Sequence, residues 1–238
     1  MSGLRRFFVD SISDFTEVTG DEYSHAVNTL RFSVGDDIIL CDNSGYDYIS
    51  EITEIRKKSF VARVKDKIYN DTESKTEVSL VCGYLKGDKT EYVVQKAVEL
   101  GVHEIAVFLS EYSSAYMNEN KLSRLNKVSV EAAKQCGRSI APKVVYCSDF
   151  TSALEFGKNR KNRLLFYENI TNYVTHINEI KEDCSIVIGS EGGFSEKEVG
   201  QAIEYDYKII SLGKRILRAD TAAVSAISIV MYSLGELE

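Results

Sequence analysis

The sequence predicts an α/β protein with a mainly parallel sheet, preceded by a small β-barrel or sandwich module. Up to about Tyr69, short alternating strands are separated by turn residues, as in a β module. From Val78 onward, apolar runs alternate with longer helical patterns, which is typical of βαβ units. Near the C-terminus two buried-strand runs each lead into a glycine-containing turn. Because open α/β sheets bind ligands where such turns meet, we expect the site there.

The first module should contain few helices and several strands. Turn clusters at 34–37 and 42–45 separate its apolar runs, and the second cluster suits a hairpin. Residues 22–30 form its one helix-like interval. The polar, aperiodic segment 71–77 is the predicted linker between a first domain at residues 1–70 and a second at 78–238. The predicted strands are Arg6 to Val9, Asp37 to Cys41, Asp47 to Ile55 and Ser59 to Lys67.

The second domain should alternate strands and helices. Capping-box spacings at Asp88/Glu91 and Ser195/Glu198 predict two helix starts, and Asp220 or Thr221 is expected to cap the last helix. That helix, to Leu234, is apolar on most sides, so the sheet or a second subunit must enclose it. The predicted strands are 78–84, 103–109, 143–147, 163–167, 184–189 and 208–212, and the other helices are 88–100, 122–136, about 151–156 and about 196–205.

Composition excludes several classes of protein. With 238 residues, 44% of them apolar, and one proline, the chain can bury a sizeable core. Its five cysteines form no CxxC pair and no Cys/His cluster at metal-ligand spacing, so we expect no metal and a reducing cytoplasm. No apolar run is long enough to span a bilayer, and we expect no membrane partner.

Net charge argues mildly against a nucleic-acid partner. The formal charge is −7, whereas nucleic-acid binding usually draws on a basic surface. Basic residues nevertheless crowd the short spans 56–67 and 158–163. These spans are either nucleic-acid contacts or ordinary solvated faces, and the pattern alone favours neither.

The glycine-rich turn from Gly189 to Phe194 is the first candidate for chemistry. Its adjacent glycines allow a ligand close to the backbone, although three glycines after a strand are often only a tight turn. Neither a dinucleotide nor a P-loop motif is present. Glu191 would repel a phosphate, so in this turn it suits a cationic ligand or a hydroxyl donor, unless it is simply solvated.

The segment from Arg215 to Thr221 is the second candidate. Arg215 and Arg218 lie between a strand and a helix, where their guanidinium groups could hold an anion or polarise a carbonyl. Asp220 and Thr221 follow at once, although such a pair is also a routine helix start. Lys86 and Arg138 lie near predicted element ends and, taken alone, would be surface residues.

Together these residues resemble a known family, the RsmE-type ribosomal RNA methyltransferases of the SPOUT superfamily, which methylate N3 of a uridine in 16S rRNA. Seven ordered blocks at family-like spacing carry the resemblance. They are Arg5 to Val9, His25 with Leu30-Arg31, Lys86 to Lys89, Gln95 to Val102, Glu131 to Arg138, Ile188 to Ser195, and Leu212 to Ala222.

The resemblance implies a PUA-like N-terminal β-barrel that grips RNA and a C-terminal α/β domain with a deep trefoil knot. It also implies a homodimer, S-adenosylmethionine as cofactor, and 16S rRNA or the small ribosomal subunit as partner. The implied catalytic residues are Arg218, Asp220 and Glu191. Implied cofactor contacts are Gly189, Glu191, Gly192, Gly193, Leu212, Gly213, Ile216, Leu217, Thr221 and Ala222. Implied RNA contacts are Arg5, Arg6, Arg31, Lys86, Arg138 and Arg215.

Five positions depart from the pattern expected of this family. Ser190 and Lys214 replace proline, Ala219 replaces threonine, Asp220 replaces glutamate, and Tyr112 replaces arginine. Either Asp220 or Glu191 would then be the base. Two other interpretations stay open: a SPOUT enzyme that acts on transfer RNA or a ribose hydroxyl, and a non-catalytic RNA-binding assembly factor.

Overall fold

The chain divides into two compact units. The computed structural model describes residues 3–113, 116–168, 177 and 180–237. The N-terminal unit comprises residues 1–73 with 133–141, and the C-terminal unit comprises 74–132 with 142–238. The sequence-based division into 1–70, a linker at 71–77, and 78–238 stays a prediction.

A five-stranded, mainly antiparallel sheet forms the N-terminal unit. Its strands are β1 (Arg6–Phe8), β2 (Phe15–Thr19), β3 (Asp37–Cys41), β4 (Tyr46–Ile55) and β5 (Ser59–Tyr69), in the order β1-β3-β4-β5-β2. Only the β1–β3 pair is parallel. Apolar side chains alternate into a core that includes Phe7, Ile38, Leu40, Ile52 and Phe60.

Two local features of this unit differ from the sequence-based prediction. β2 was not predicted, because only Thr16 and Val18 point inward from its five residues and the run is too short to stand out. The predicted helix at 22–30 is instead a short helix α1 (Gly20–Tyr23) that continues as a π-helix (Ser24–Thr29). The four strands that were predicted are confirmed within two residues at each end.

A six-stranded parallel sheet forms the centre of the C-terminal unit. The strands are β6 (Val78–Gly83), β7 (Glu104–Phe108), β8 (Val144–Cys147), β9 (Asn162–Phe166), β10 (Cys184–Ile188) and β11 (Lys208–Ile210), in the order β11-β9-β10-β6-β7-β8. All five pairings are parallel. The predicted parallel sheet is therefore confirmed, and the carboxyl ends of its strands share one edge.

Helices alternate with these strands along the chain. They are α2 (Lys89–Glu99), α3 (Glu119–Cys136), α4 (Phe150–Gly157), α5 (Glu196–Glu204) and α6 (Ala219–Ser233). Leu154 of α4 and Ala202 of α5 share one buried cluster with Val81, Ala106 and Val187 of the strands. α6 instead packs on α2 and β10. As expected for an apolar helix, it is enclosed along one face, where Ala223, Ala226, Ile227, Val230 and Met231 are buried.

One of the three predicted helix caps is confirmed. Ser195 accepts a hydrogen bond from the Glu198 backbone N–H, and the Glu198 side chain accepts one from Ser195, so α5 begins with a capping box. The box predicted at Asp88 is wrong, because Asp88 (φ −94°, ψ 3°) lacks the extended backbone that a cap requires. The cap predicted at Asp220 or Thr221 is also wrong: extended Arg218 occupies that position, and α6 begins earlier, at Ala219.

Candidate active site at the ends of three parallel strands

One cavity lies where β9, β10 and β11 end. Its volume is about 320 Å³, and residues of both segments predicted to carry the chemistry line it. The turn after β10 supplies one wall, and the segment between β11 and α6 supplies the other. Of the predicted cofactor contacts, the lining includes Gly189, Glu191, Gly193, Ile216, Leu217 and Ala222.

A smaller cavity adjoins the first. Its volume is about 50 Å³, and it shares Phe166, Glu168, Leu217 and Ala222 with the larger one. Leu212, Gly213 and Arg215 also line it. Two of the predicted cofactor contacts line neither cavity: Gly192 lies inside the glycine turn, and Thr221 is exposed in the first turn of α6.

The glycine turn has a tight, well-defined backbone. The Gly193 N–H donates to the Ser190 carbonyl at 3.0 Å, and Gly193 has a φ of +70°, which L side chains rarely adopt. A Cβ at Gly193 would come within 2.7 Å of Glu168 Oε1, and one at Gly192 within 2.6 Å of the Tyr112 Cβ. Gly193 therefore leaves room for a ligand to approach the backbone at the cavity wall, while Gly192 lets the turn pack against Tyr112.

Gly83, at the end of β6, supports the same turn and was missed by the sequence analysis. A Cβ there would lie 2.5 Å from the Ser190 nitrogen and 2.8 Å from the Gly189 carbonyl carbon. No side chain fits, so the glycine turn rests directly on the backbone of β6. A glycine that ends a buried parallel strand beside a glycine-rich turn is the sequence signal that could have revealed this contact.

A polar network braces the other side of the turn. The hydroxyls of Ser110 and Ser190 are 2.6 Å apart and buried. Ser195 donates to Glu111 Oε2 at 2.7 Å, while the Glu111 backbone N–H donates to Glu198 Oε1 at 2.9 Å. The segment after β7 thus binds Ser190 near the start of the turn and Ser195 and Glu198 at its end. These contacts fix the position of the turn relative to the start of α5.

Glu191 is held by the segment after β6. Its Oε1 accepts hydrogen bonds from the Lys86 backbone N–H and from Lys89 Nζ, both at 3.0 Å. Partial burial acts to raise the pKa of Glu191, but the Lys89 ammonium and the Lys86 N–H outweigh it and hold that pKa below its ordinary value. Glu191 is therefore a carboxylate at neutral pH.

Arg218 and Asp220 lie at the start of α6. Arg218 lines the larger cavity, and its side chain is 73% exposed. Its Nε lies 3.6 Å from Asp220 Oδ1, a buried oxygen that has no hydrogen-bond partner among the described residues. The pair thus places an accessible cation next to a buried carboxylate oxygen, and Asp220 itself lines neither cavity.

Glu168 and Lys89 also line the cavity and were missed. Glu168 follows β9, and Lys89 begins α2. Glu168 could have been identified from its place directly after a predicted strand, because side chains at the carboxyl ends of such strands reach ligands. With Glu191 it gives the cavity two carboxylates, and Lys89 and Arg218 balance their formal charge.

The predicted RNA contacts of the N-terminal unit differ in accessibility. Arg5 and Arg31 are exposed. Arg6 binds Asp47 at 2.5 Å and is mostly buried. The Arg138 side chain is only 3% exposed and binds Glu73 at 2.6 Å, so its geometry does not favour direct RNA contact. In the C-terminal unit, Lys86 and Arg215 are exposed.

The structure limits other chemistries within the residues it describes. Burial raises the pKa of Cys82, at the end of β6, to about 12, and the nearby Glu191 adds to this effect, so the thiol is not a nucleophile at neutral pH. Among the described residues, no group of three or more His, Cys, Asp or Glu side chains is placed to hold a metal. In the same part of the chain, no helix combines the length and apolarity that a membrane span requires.

The fold and the site define an RNA methyltransferase. The sequence profile of the RNA methyltransferase domain family matches residues 72–231, and that of the RNA methyltransferase PUA domain matches residues 18–65. The first match covers more than half of the chain.

Named relatives narrow the family further. The chain is 30% identical to the ribosomal RNA small subunit methyltransferase E of Bacillus subtilis, over 96% of each chain. It is 33% identical to the protein of that name from Mesomycoplasma hyopneumoniae, over 93% of this chain and 96% of that one. The crystal structure of the Neisseria gonorrhoeae protein of that name, bound to S-adenosylmethionine, superposes with a TM-score of 0.86 at 26% identity, covering 97% and 98% of the two chains. The chain belongs to the ribosomal RNA small subunit methyltransferase E family.

Proposed function

We propose that this protein transfers the methyl group of S-adenosylmethionine to N3 of a uridine in the 16S rRNA of the small ribosomal subunit. The observation that carries the proposal is the convergence of the two glycine-containing turns on one cavity that also presents Arg218. Family membership supports methyl transfer to RNA, and the relatives' names support the small subunit as its source.

The chemistry of the cavity fits the cofactor. S-adenosylmethionine supplies a methyl group on a positively charged sulfonium, which is electrophilic. Glu168 and Glu191 are the carboxylates of the lining that can attract the sulfonium, and Lys89 and Arg218 balance their formal charge. Glycines at 189 and 193 leave room against the backbone, and apolar Ile216, Leu217 and Ala222 suit the uncharged parts of the molecule. We assign these residues to cofactor binding.

Arg218 would stabilise the reacting base. Uridine N3 carries a weakly acidic proton, and removing it leaves negative charge on the ring and its carbonyl oxygens. Arg218 lines the cavity and is largely exposed, so its guanidinium can donate to a carbonyl of a base that enters from solvent. This interaction strengthens as the charge develops, which is the condition for acceleration.

Asp220 is the better candidate for the base. Its Oδ1 is buried 3.6 Å from Arg218 Nε and accepts no hydrogen bond from the described residues, whereas Glu191 Oε1 accepts two hydrogen bonds and its pKa is lowered. A carboxylate that is already bound to donors is a weaker proton acceptor. We therefore assign proton removal to Asp220 and cofactor orientation to Glu191.

One experiment tests the function. Labelled methyl transfer is measured in parallel on ribosomal RNA, isolated small subunits and transfer RNA, and the product nucleoside and the methylated segment are identified by mass spectrometry. We expect 3-methyluridine in the RNA of the small subunit. Transfer only to transfer RNA or to a ribose hydroxyl would instead favour another SPOUT activity, and absence of cofactor binding would favour a non-catalytic RNA-binding factor.

We also propose that the chain is a homodimer with a trefoil knot near its C-terminus. The support for a dimer is the apolar surface of the C-terminal unit, where Tyr92 on α2 and Ile229 and Tyr232 on α6 are 46%, 41% and 66% exposed. Sedimentation equilibrium should give twice the mass of one chain, and Tyr232→Glu should lower the measured mass toward that of one chain.

The support for a knot is topological, because β11 lies beyond β9 in the sheet while α6, which follows β11, returns to pack on β10.

A further inference from the structure

Apart from the active-site cavity and its smaller neighbour, the C-terminal unit has another cavity, which we call the second cavity and which the proposed chemistry does not use. Its volume is about 440 Å³, within the range of roughly 300–1,000 Å³ that is typical of small-ligand sites. It lies between the segment after β6 and the start of α3. Its lining includes two aromatic rings, three cations and one carboxylate, namely Tyr84, Tyr116, Lys86, Lys121, Arg124 and Glu91.

The second cavity adjoins the candidate active site. Lys86 lines the second cavity, and its backbone N–H donates to Glu191 of the active site at 3.0 Å. Lys89, three residues further on, lines the active site itself. One short segment of chain therefore separates the two cavities, so a polymer whose reacting unit occupies the first can place a neighbouring unit in the second.

Its aromatic groups suit a stacked base. Tyr116 is 65% exposed, and Lys121 Nζ lies 3.4 Å from the centre of its ring. An ammonium covers only one face of a ring, so the other face can receive a planar ligand. Tyr84, in contrast, is 8% exposed and forms the floor, with Lys121 Nζ 5.3 Å from its ring centre. Stacking on such rings is the usual way in which proteins hold unpaired bases.

Its charges suit a phosphate. Arg124 Nε is 2.8 Å from Glu91 Oε1, which satisfies one of the three cations. Lys86 and Lys121 remain without a carboxylate partner among the described contacts, so the cavity keeps an excess of positive charge. In the active-site cavity, by contrast, Lys89 and Arg218 balance the two carboxylates Glu168 and Glu191. The second cavity is therefore the more basic of the two.

We propose that this second cavity binds a nucleotide next to the target uridine, with its base on Tyr116 and its phosphate near Lys86 and Lys121. The inference rests on the proposed function, because it takes single-stranded RNA as the substrate. It adds a specificity site: the neighbouring base is held while the uridine reaches Arg218. Unstacking of the target costs energy, and binding of its neighbour offsets part of that cost.

The first experiment measures binding without turnover. A fluorescein-labelled oligouridine is titrated with the full-length protein in low salt, and anisotropy gives the affinity. Tyr116→Ala should weaken binding by about 5-fold or more, since about 5-fold is the smallest effect expected when one base loses its stacking partner. Tyr116→Phe keeps the ring and should bind with an affinity near that of the wild type. Lys121→Ala should weaken it and lower its salt dependence. Lys143→Ala, which removes an exposed lysine outside the lining of either cavity, is the matched control.

The second experiment locates the bound neighbour. Short RNAs that copy the methylated segment carry one abasic nucleotide at successive positions beside the target, and KM is measured for each. In the wild type, one position should raise KM by about 5-fold or more, with kcat little changed. In Tyr116→Ala the same position should no longer matter, because the ring that held its base is gone.

Equal affinities for Tyr116→Ala and Lys143→Ala, both folded by thermal melting, would overturn the proposal. So would an abasic scan that is the same in wild type and Tyr116→Ala, or binding of free uridine monophosphate as tight as that of the RNA. Failure of this proposal can be distinguished from failure of the proposed function, because the oligouridine titration measures binding and requires no methyl transfer. A protein that binds oligouridine through Tyr116 but methylates no RNA would retain this site and lose the assigned activity.

Discussion

Gly83 must lack a side chain so that the glycine turn can lie against β6. In Gly83→Ala the new methyl group would meet the Ser190 nitrogen at 2.5 Å, and neither backbone can yield without moving the cavity wall. We expect a loss of about 1–3 kcal/mol of stability and at least about 10-fold weaker cofactor binding. Thermal unfolding and calorimetric titration with S-adenosylmethionine measure the two effects.

Gly200→Ala is the control for that variant. Gly200 lies inside α5, and a Cβ there would meet nothing within 4 Å. The substitution should stabilise the helix by about 0.5–1 kcal/mol and leave cofactor binding unchanged. If Gly83→Ala bound the cofactor as well as Gly200→Ala does, the turn would not depend on close packing against β6.

Replacing Arg218 should separate catalysis from cofactor binding. Arg218 is assigned to the uracil carbonyl, so Arg218→Ala should lower kcat by about 10²–10³-fold, while the cofactor affinity stays near that of the wild type. Methyl transfer and calorimetry are compared with Lys214→Ala, which removes an exposed cation of the same loop. Loss of cofactor affinity together with turnover would move Arg218 into the cofactor site.

Because of Glu191, the affinity for the cofactor should fall at acid pH. Its pKa lies below the ordinary 4.5, so its contacts with Lys89 and Lys86 contribute fully above that value and are lost as pH falls through the lower folded value. Affinity for S-adenosylmethionine should therefore be flat from about pH 8 to about pH 5 and fall at lower pH. Glu191→Gln should bind about 2- to 5-fold more weakly at pH 7 and show less of the acid decline. An identical decline in both proteins, measured by calorimetry, would assign it to another group.

At the scale of elements, the cap of α5 joins helix stability to the active site. Ser195→Ala removes a buried capping hydroxyl and also its hydrogen bond to Glu111, so we expect a loss of about 0.5–2 kcal/mol together with weaker cofactor binding. Asp149 caps α4 through the Ser152 N–H and touches neither cavity. Asp149→Ala should lower the melting temperature but leave cofactor affinity unchanged. If both variants kept full affinity, the cap would serve the helix alone.

Apolar patterning identified the elements well because burial imposes it directly. β6 and β10 are buried at every position and read as mainly apolar runs, interrupted by Ser79 and Ser185, so they were predicted from the sequence. The caps at Asp88 and Asp220 failed for a different reason: each residue type suits a cap, but the local backbone decides whether its side chain can reach. Near the start of α2, for instance, the Thr90 hydroxyl, and not the Asp88 side chain, makes a local contact with the backbone. It accepts a hydrogen bond from the Leu85 N–H at 2.8 Å.

The site was predictable where its residues follow strands and was missed where contacts join distant segments. Gly189 and Leu217 were expected to converge because parallel strands end at one edge. Gly83 ends a strand and Glu168 follows one, so their positions could have marked them as candidates. The contacts that define their roles, with Ser190 and Gly193, join residues far apart in the sequence and become visible only in the fold.

At the scale of the whole molecule, net charge is a poor guide to partners. The formal net charge of the chain is −7, yet many of its carboxylates form ion pairs with lysine or arginine. In the N-terminal unit, Arg56 binds Glu17 and Glu54, and Lys65 binds Asp37. The cavity beside the active site instead contains Lys86 and Lys121, for which the described residues supply no carboxylate partner. An acidic protein can therefore present local basic sites, and RNA affinity should depend on these sites and not on the total.

The N-terminal unit should depend on a segment from much later in the chain. Residues 133–141 belong to it, and within it the Arg138 guanidinium, 3% exposed, binds Glu73, which is 14% exposed. Removing one partner of a buried ion pair is costly, so Glu73→Ala should destabilise the protein by up to about 3–5 kcal/mol in urea unfolding. Glu54→Ala, which breaks the exposed pair with Arg56, should cause no measurable change. Equal midpoints for the two variants would mean that the segment 133–141 contributes little to the unit, and that residues 1–73 can be stable without it.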